Sequence, residues 1–209
     1  MMGIEAPDFW SQLAVDIAAS KYFRKAGVPV GVARGGCGHE TSVKQLIHRV
    51  VTAIQWQGEK QGYFDAQTSK VFADELTYIL VHQIAAFNSP VWFNCGLAEA
   101  YGIKGNAAGS WAVDLATGVA EKTADSYSRP QISACFILTV DDNLEDIGQG
   151  ICREQLVFKM GGGAGMNASN IRAADEPLTG GGKSSGLMSF LEVYDKSAGA
   201  IKSGGTCLA

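Results

Sequence analysis

Gln131-Ile132-Ser133-Ala134-Cys135-Phe136-Ile137-Leu138-Thr139-Val140 is the stretch on which the fold turns. Its apolar residues fall on both faces of an extended chain, the pattern of a buried parallel strand. Asp142-Asn143-Leu144-Glu145 follows and reads as a capping box, opening a helix to about Lys159. Strand then helix is the first half of an α/β unit, and a further helix fits residues 187–200. Cys135 stands mid-strand among Ile132, Phe136 and Ile137. A thiol so placed is ordinarily a small buried hydrophobe. A nucleophilic or redox role is the alternative, although this segment supplies no base to lower its pKa.

Upstream, the first 90 residues read as helices around a bundle core. Phe9, Leu13 and Ile17 recur at i+4 behind Pro7-Asp8, and Gly27 ends a helix from about residue 8 to 26. A second helix, about 42–57, carries the stripe Val43, Leu46, Ile47, Val50, Val51 and Ile54 behind a Thr41 or Ser42 cap. A third, about 66–87, carries Phe72, Leu76, Ile79, Leu80 and Ile84 and stops before Ser89-Pro90. Arg34-Gly35-Gly36-Cys37-Gly38 reads as a linker. From about 96 to 130 periodicity is lost, which predicts a long irregular connection of the kind that often carries function. The organisation expected is a helical region at 1–95, the connection at 96–130, and an α/β region from 131 to 206.

Glycine is the outlier, 26 of 209 residues, against a usual fraction of about 7%. Eight glycines fall between Met160 and Gly186, which predicts two loops needing positive φ or close backbone approach. A phosphate loop of the Walker type would need a glycine where Pro177 stands. Gly163-Ala164-Gly165-Met166-Asn167-Ala168 nearly spells a dinucleotide fingerprint, but it follows a helix rather than a strand. A bare cradle of backbone N–H groups for an anion, or glycines that merely permit tight packing, are the remaining readings.

Net charge −4 excludes a basic nucleic-acid-binding module or a surface drawn to anionic membranes. The N-terminus lacks a basic and apolar leader, and the richest apolar stretch, Tyr78 to Phe87, is too short to span a bilayer. Five scattered cysteines, with no Cys-x-x-Cys pair, suit reduced thiols in cytoplasm and predict no metal site. Cys37-Gly38-His39 offers two ligand types but no second pair.

Four separated motifs then occur in a telling order: Asn88-Ser89-Pro90-Val91-Trp92-Phe93-Asn94; the Gln131–Leu138 strand; Lys159-Met160-Gly161-Gly162-Gly163-Ala164-Gly165-Met166-Asn167-Ala168-Ser169-Asn170-Ile171-Arg172; and Gly180-Gly181-Gly182 with Ser185-Gly186 and Ser197-Ala198-Gly199-Ala200-Ile201-Lys202-Ser203-Gly204-Gly205. Together they resemble the N-terminal part of the adenosylcobalamin-dependent (class II) ribonucleotide reductases, from about residue 40 to Thr206. The resemblance implies an α/β fold: a helical N-terminal region followed by the first part of a ten-stranded α/β barrel, incomplete in this chain. It implies reduction of ribonucleotides, with the balance of the pattern towards diphosphates, by thiyl-radical chemistry that supplies DNA synthesis.

The resemblance also implies roles. Cys135 matches one of two thiols that reduce the ribose and become a disulfide. Ser89 matches a hydroxyl residue that holds the substrate. Ala134 and Cys135 match the backbone and thiol beneath the ribose, and Gly163 the glycine that approaches it. Asp142 and Arg172 match an allosteric site for a deoxynucleotide effector at a dimer interface. Glycine N–H groups would receive phosphate without net positive charge. The implied partners are a ribonucleotide substrate, the effector, a thioredoxin-type reductant and a second copy in the full enzyme. Adenosylcobalamin, the radical cysteine and the second reducing thiol are expected mostly beyond this chain, which alone would be catalytically silent. Cys207-Leu208-Ala209 departs from the family and resembles an intein's opening, which would make the chain the front half of a splicing precursor. A stand-alone nucleotide-binding or dimerisation module is the rival reading, and a plain dinucleotide-dependent oxidoreductase a third.

Overall fold

The computed structural model describes residues 3–30, 37–105 and 111–201. Cys207 and most of the Arg34–Gly38 linker lie outside them. The chain divides into two units, Met1–Ile132 and Ser133–Ala209.

In the first unit the helices follow their caps. The α2 helix (Val43–Lys60) starts at Ser42, whose hydroxyl accepts from Lys44 N at 3.1 Å, while Gln45 reaches back to Ser42 N to complete a capping box. Its expected stripe is buried: Val43, Leu46, Ile47 and Val51 meet Ala18, Ala19, Phe23 and Leu80 in the main core. Asp65 caps α3 (Ala66–Val81) through Gln67 N and Thr68 N. This helix ends six residues before the expected 87. Gln83 takes φ +56°, and Gln83 N and Ile84 N turn back to the Leu80 and Ile79 carbonyls, closing the helix without a glycine.

The first helix departs most from expectation. The α1 helix (Gln12–Ile17) is capped by Ser11 rather than Pro7-Asp8, and it runs into a π-helical turn, Ala18–Tyr22, closed by Phe23 N to Ala18 O at 3.0 Å. Phe9, Leu13 and Ile17, expected in the core, are 57, 69 and 40% exposed. The core is served instead by Ala18, Ala19 and Phe23 beyond the register change.

Val28–Pro29 (β1) pairs antiparallel with Cys37–Gly38 (β2), so part of the expected linker is strand. Asn88 then caps α4 (Ser89–Asn94), and Gly96, at φ +77°, turns the chain into α5 (Leu97–Tyr101). A Cβ at Gly96 would lie 2.1 Å from Arg49 O, so the corner requires glycine. The corner is locked by a buried network. Arg49 binds Glu40 Oε1 at 2.8 Å through Nε, Cys95 O at 2.6 Å through Nη1 and Trp92 O at 2.6 Å through Nη2. Glu40 also accepts from Tyr101 Oη at 2.8 Å and Arg24 N at 2.7 Å, so this charged pair is well satisfied. The expected irregular connection contains α5 and a hairpin, β3 (Trp111–Val113) with β4 (Ala120–Lys122), turned by Asp114 and Gly118.

The second unit is a βαβ unit followed by a helix. The strand expected at 131–140 is shorter, β5 (Cys135–Thr139), and leads through Asn143 into α6 (Leu144–Lys159). The cap is Asn143, whose side chain accepts from Asp146 N at 2.8 Å; the expected capping box at Asp142 is absent because Asp142 is engaged elsewhere. Gly161 (φ +82°) and Gly162 close the helix with paired bonds to the Phe158 and Val157 carbonyls. The chain returns as β6 (Gly163–Asn167), parallel to β5 in the register Cys135↔Gly163, Ile137↔Gly165 and Thr139↔Asn167. The helix α7 (Leu187–Ala200) matches its expected range. Val140, Ile147, Ile171 and Tyr194 form the core, with Met166, Ala168 and Phe190 against it. The whole is a mixed α/β chain of helices and three two-stranded sheets among the described residues. None of its described helices is long and apolar enough to cross a membrane.

Candidate functional site

The parallel register of the second unit fixes which side chains share a face. Alternate residues of a strand point the same way, and the even-numbered residues of β5 and β6 are half-buried while the odd-numbered ones are exposed. The open face therefore carries Cys135, Ile137 and Thr139 beside Gly163, Gly165 and Asn167. Cys135, expected among buried neighbours, is exposed. Ile137, on the same face, is 88% exposed. The expectation of a strand buried on both faces fails here because, among the described residues, only the even-numbered face of the β5–β6 pair packs on the core of this unit.

Gly163 and Gly165 leave bare backbone beside the thiol. A Cβ at either position would come no closer than 3.8 Å to Ala134 O or 3.9 Å to Phe136 O, which is ordinary contact. Packing within this unit thus does not demand glycine, and the bare backbone leaves room for something to lie flat against the sheet beside Cys135. Gly163 N donates to Ala134 O at 2.7 Å, so its N–H is engaged within the sheet and what it offers beside the thiol is bare backbone. The fingerprint reading fails because Gly163–Asn167 is itself the strand, not a turn between strand and helix.

Asp142 and Arg172, 30 residues apart, meet at the end of β5. Arg172 donates Nε to Asp142 Oδ2 at 2.5 Å and its backbone N to Oδ1 at 3.3 Å. The guanidinium bond, more than anything else, holds the Asp142 carboxyl below its ordinary range. Arg172 opens the excursion 173–186, whose two arms pair through Asp175 N to Ser184 O and Ser184 N to Glu176 O, 2.9 and 2.8 Å. Gly186 closes it at φ +77°, where a Cβ would stand 2.6 Å from Ala174 N. The second glycine cluster is therefore a turn, as expected.

Ser89 belongs to the first unit, at the first position of α4, with buried Pro90 behind it. Its Oγ lies 3.2 Å from Tyr22 Oη. Sequence reasoning does not single out Tyr22, because a π turn leaves no trace in a 3.6-residue periodicity. Of the expected site residues, Ala134, Cys135 and Gly163 come together and Asp142 meets Arg172; Ser89 stands in the other unit. Among the described residues no three His, Cys, Asp or Glu side chains gather as a metal site.

The chain matches two family models. Residues 1–83 match the class II vitamin B12-dependent ribonucleotide reductase model, and residues 133–207 the ribonucleotide reductase barrel domain. A vitamin B12-dependent ribonucleotide reductase of Rhodopirellula baltica is 45% identical over 202 residues, covering 96% of this chain and 19% of the relative. One from Bradyrhizobium diazoefficiens is 42% identical, covering 97% of this chain and again 19% of the relative. A vitamin B12-dependent ribonucleoside-diphosphate reductase of Thermoplasma acidophilum is 40% identical over 77 residues, 36% of this chain and 10% of that protein. The chain thus spans about a fifth of the length of the first two relatives. With both models in chain order and this identity over nearly its whole length, the chain belongs to the class II, vitamin B12-dependent ribonucleotide reductase family.

Proposed function

We propose that this chain is part of a vitamin B12-dependent ribonucleoside-diphosphate reductase, in which Cys135 is one of two thiols that reduce the ribose. The observation that carries the proposal is the exposed Cys135 thiol directly opposite Gly163 on an open face with a bare glycine neighbour strand. A ribose lying against that backbone would have its 2′-hydroxyl over the thiol. In the reduction Cys135 and a partner thiol form a disulfide, giving up two protons and two electrons, which between them make the water and the new C2′–H bond. The C2′–OH bond breaks, the hydroxyl leaves as water, and a hydrogen takes its place at C2′.

Among the cysteines whose side chains are described, Cys95 is buried in the first unit and Cys152 sits on α6, not on the open face, so the partner thiol is assigned to the rest of the enzyme. A thioredoxin-type dithiol would reopen the disulfide after each turnover. The family's cobalamin, in its adenosyl form, supplies the radical that starts the chemistry. In the full enzyme β5 and β6 would be the first strands of a ten-stranded barrel, whose closure covers the face that Ile137 exposes.

The test is Cys135→Ser in the full-length enzyme. Multiple turnover with a dithiol reductant should be abolished; normal steady-state reduction would remove Cys135 from the mechanism. Ala134 and Gly163 are proposed to contact the substrate from beneath, and Ser89 to hold it from the first unit. Asp142 and Arg172 are proposed to take a deoxynucleotide effector near a dimer interface, the pair fixing the loop that Arg172 opens. Arg172→Ala should blunt the effector's control of base choice while leaving activity, and an unchanged response would reject the role.

A further inference from the structure

We propose that Tyr22 is a positioning residue for substrate binding, acting through the hydroxyl of Ser89. The inference rests on the proposed role of Ser89 and deepens it. Tyr22 Oη and Ser89 Oγ are 3.2 Å apart across 67 residues of sequence, and both residues are half-buried. Either hydroxyl can donate in this pair; we assign the donor role to the more acidic Tyr22 phenol, with the Ser89 oxygen accepting. The serine proton is thereby turned away from Tyr22 and is free to be donated to an acceptor on the substrate. Without the phenol the serine hydroxyl would rotate among its staggered positions, and binding would have to restrict it.

Two further features hold Tyr22 in this role. Its ring is stacked on Phe93 of the same α4 helix that presents Ser89, with centroids 5.3 Å apart. It is also the last residue of the π-helical turn Ala18–Tyr22. The extra residue in that turn rotates the succeeding residues by about 100° relative to an unbroken α-helix. That register change lets Phe23 enter the core while Tyr22, next to it, faces α4. Turns of this kind are rare and concentrate at functional sites.

The experiment uses the full-length reductase containing this chain and measures the equilibrium dissociation constant for ADP. The variants are Tyr22→Phe, Ser89→Ala and the double variant, each checked for an unchanged melting temperature. Phenylalanine keeps the ring on Phe93 and removes only the hydroxyl. Tyr22→Phe should weaken ADP binding roughly five- to tenfold, and the double variant should be no weaker than Ser89→Ala alone, because Tyr22 acts through Ser89. Unchanged binding in Tyr22→Phe, with Ser89→Ala weakened, overturns the role of Tyr22 and leaves that of Ser89. Additive losses in the double variant also overturn it, since Tyr22 would then act independently. Unchanged binding in Ser89→Ala overturns both roles.

Discussion

Replacing Arg49 with methionine should strip the first unit of the clamp that ties α2 to α4 and α5. In the parent, the Arg49 and Glu40 side chains are 1 and 0% exposed and joined at 2.8 Å. Methionine fills much of the same volume, so the loss is electrostatic rather than a cavity. It leaves the Glu40 carboxylate buried with Tyr101 and Arg24 N alone, and it orphans the Trp92 and Cys95 carbonyls. Removing one partner of a buried ion pair costs about 3–5 kcal/mol, and each unsatisfied carbonyl adds about 1–3 kcal/mol where water cannot reach it. These penalties overlap, so a loss of about 4 kcal/mol is expected. For a chain of this length that is roughly 8–16 °C in Tm. Trp10, Trp56, Trp92 and Trp111 are all in the first unit, so tryptophan fluorescence during urea or thermal unfolding reads that unit selectively. Arg49→Lys, which keeps a charge but cannot fork to three acceptors, should fall between. A methionine variant within about 1 kcal/mol of the parent would refute the reasoning.

The second unit has its own test. A Cβ at Gly150 would sit 2.2 Å from Tyr194 Oη, whose hydroxyl donates to Ile147 O at 2.7 Å. Gly150→Ala should therefore destabilise the α6–α7 contact by roughly 1–2 kcal/mol despite alanine's better helix propensity, seen as faster hydrogen exchange in both helices; slower exchange would count against the packing described. The thiols should also separate by reactivity. Burial, reinforced by the Glu99 charge, pushes the Cys95 thiol up to about 11. At pH 8 Cys95 is then almost entirely protonated, so iodoacetamide should label exposed Cys135 and Cys152 first, and Cys95 should speed up as pH rises towards 11. Equal labelling rates at pH 8, mapped by peptide mass, would contradict that burial.

Where local chemistry and tertiary packing agree, the fold is legible in the sequence. In α2, Ser42, Gln45 and the apolar stripe all point to one helix, and the structure places it within a few residues. The first helix misleads because an i+4 stripe assumes an unbroken α-helix, whereas a later cap and a π turn hand the core to residues off the stripe. The early end of α3 is hidden because Gln83 adopts a conformation usually marked by glycine. The strand β6 is unreadable from propensity: a run of glycines becomes a strand only by pairing with β5, a tertiary effect. The 111–122 hairpin is signalled only weakly, by Trp-Ala-Val and Val-Ala-Glu on either side of a turn bounded by Asp114 and Gly118. At the site, Cys135 and Gly163 draw attention separately, and their apposition is visible only in the register. Nothing local reveals that Asp142 is taken by Arg172 rather than used as a helix cap.

The most direct test of the account is the oxidation state of Cys135 after one turnover of the full-length enzyme without external reductant. Peptide mapping of the quenched enzyme should find Cys135 in a disulfide, in proportion to the deoxynucleotide formed. A Cys135 thiol that stays free while product accumulates would contradict the reading of the open β5–β6 face as the place where the ribose is reduced.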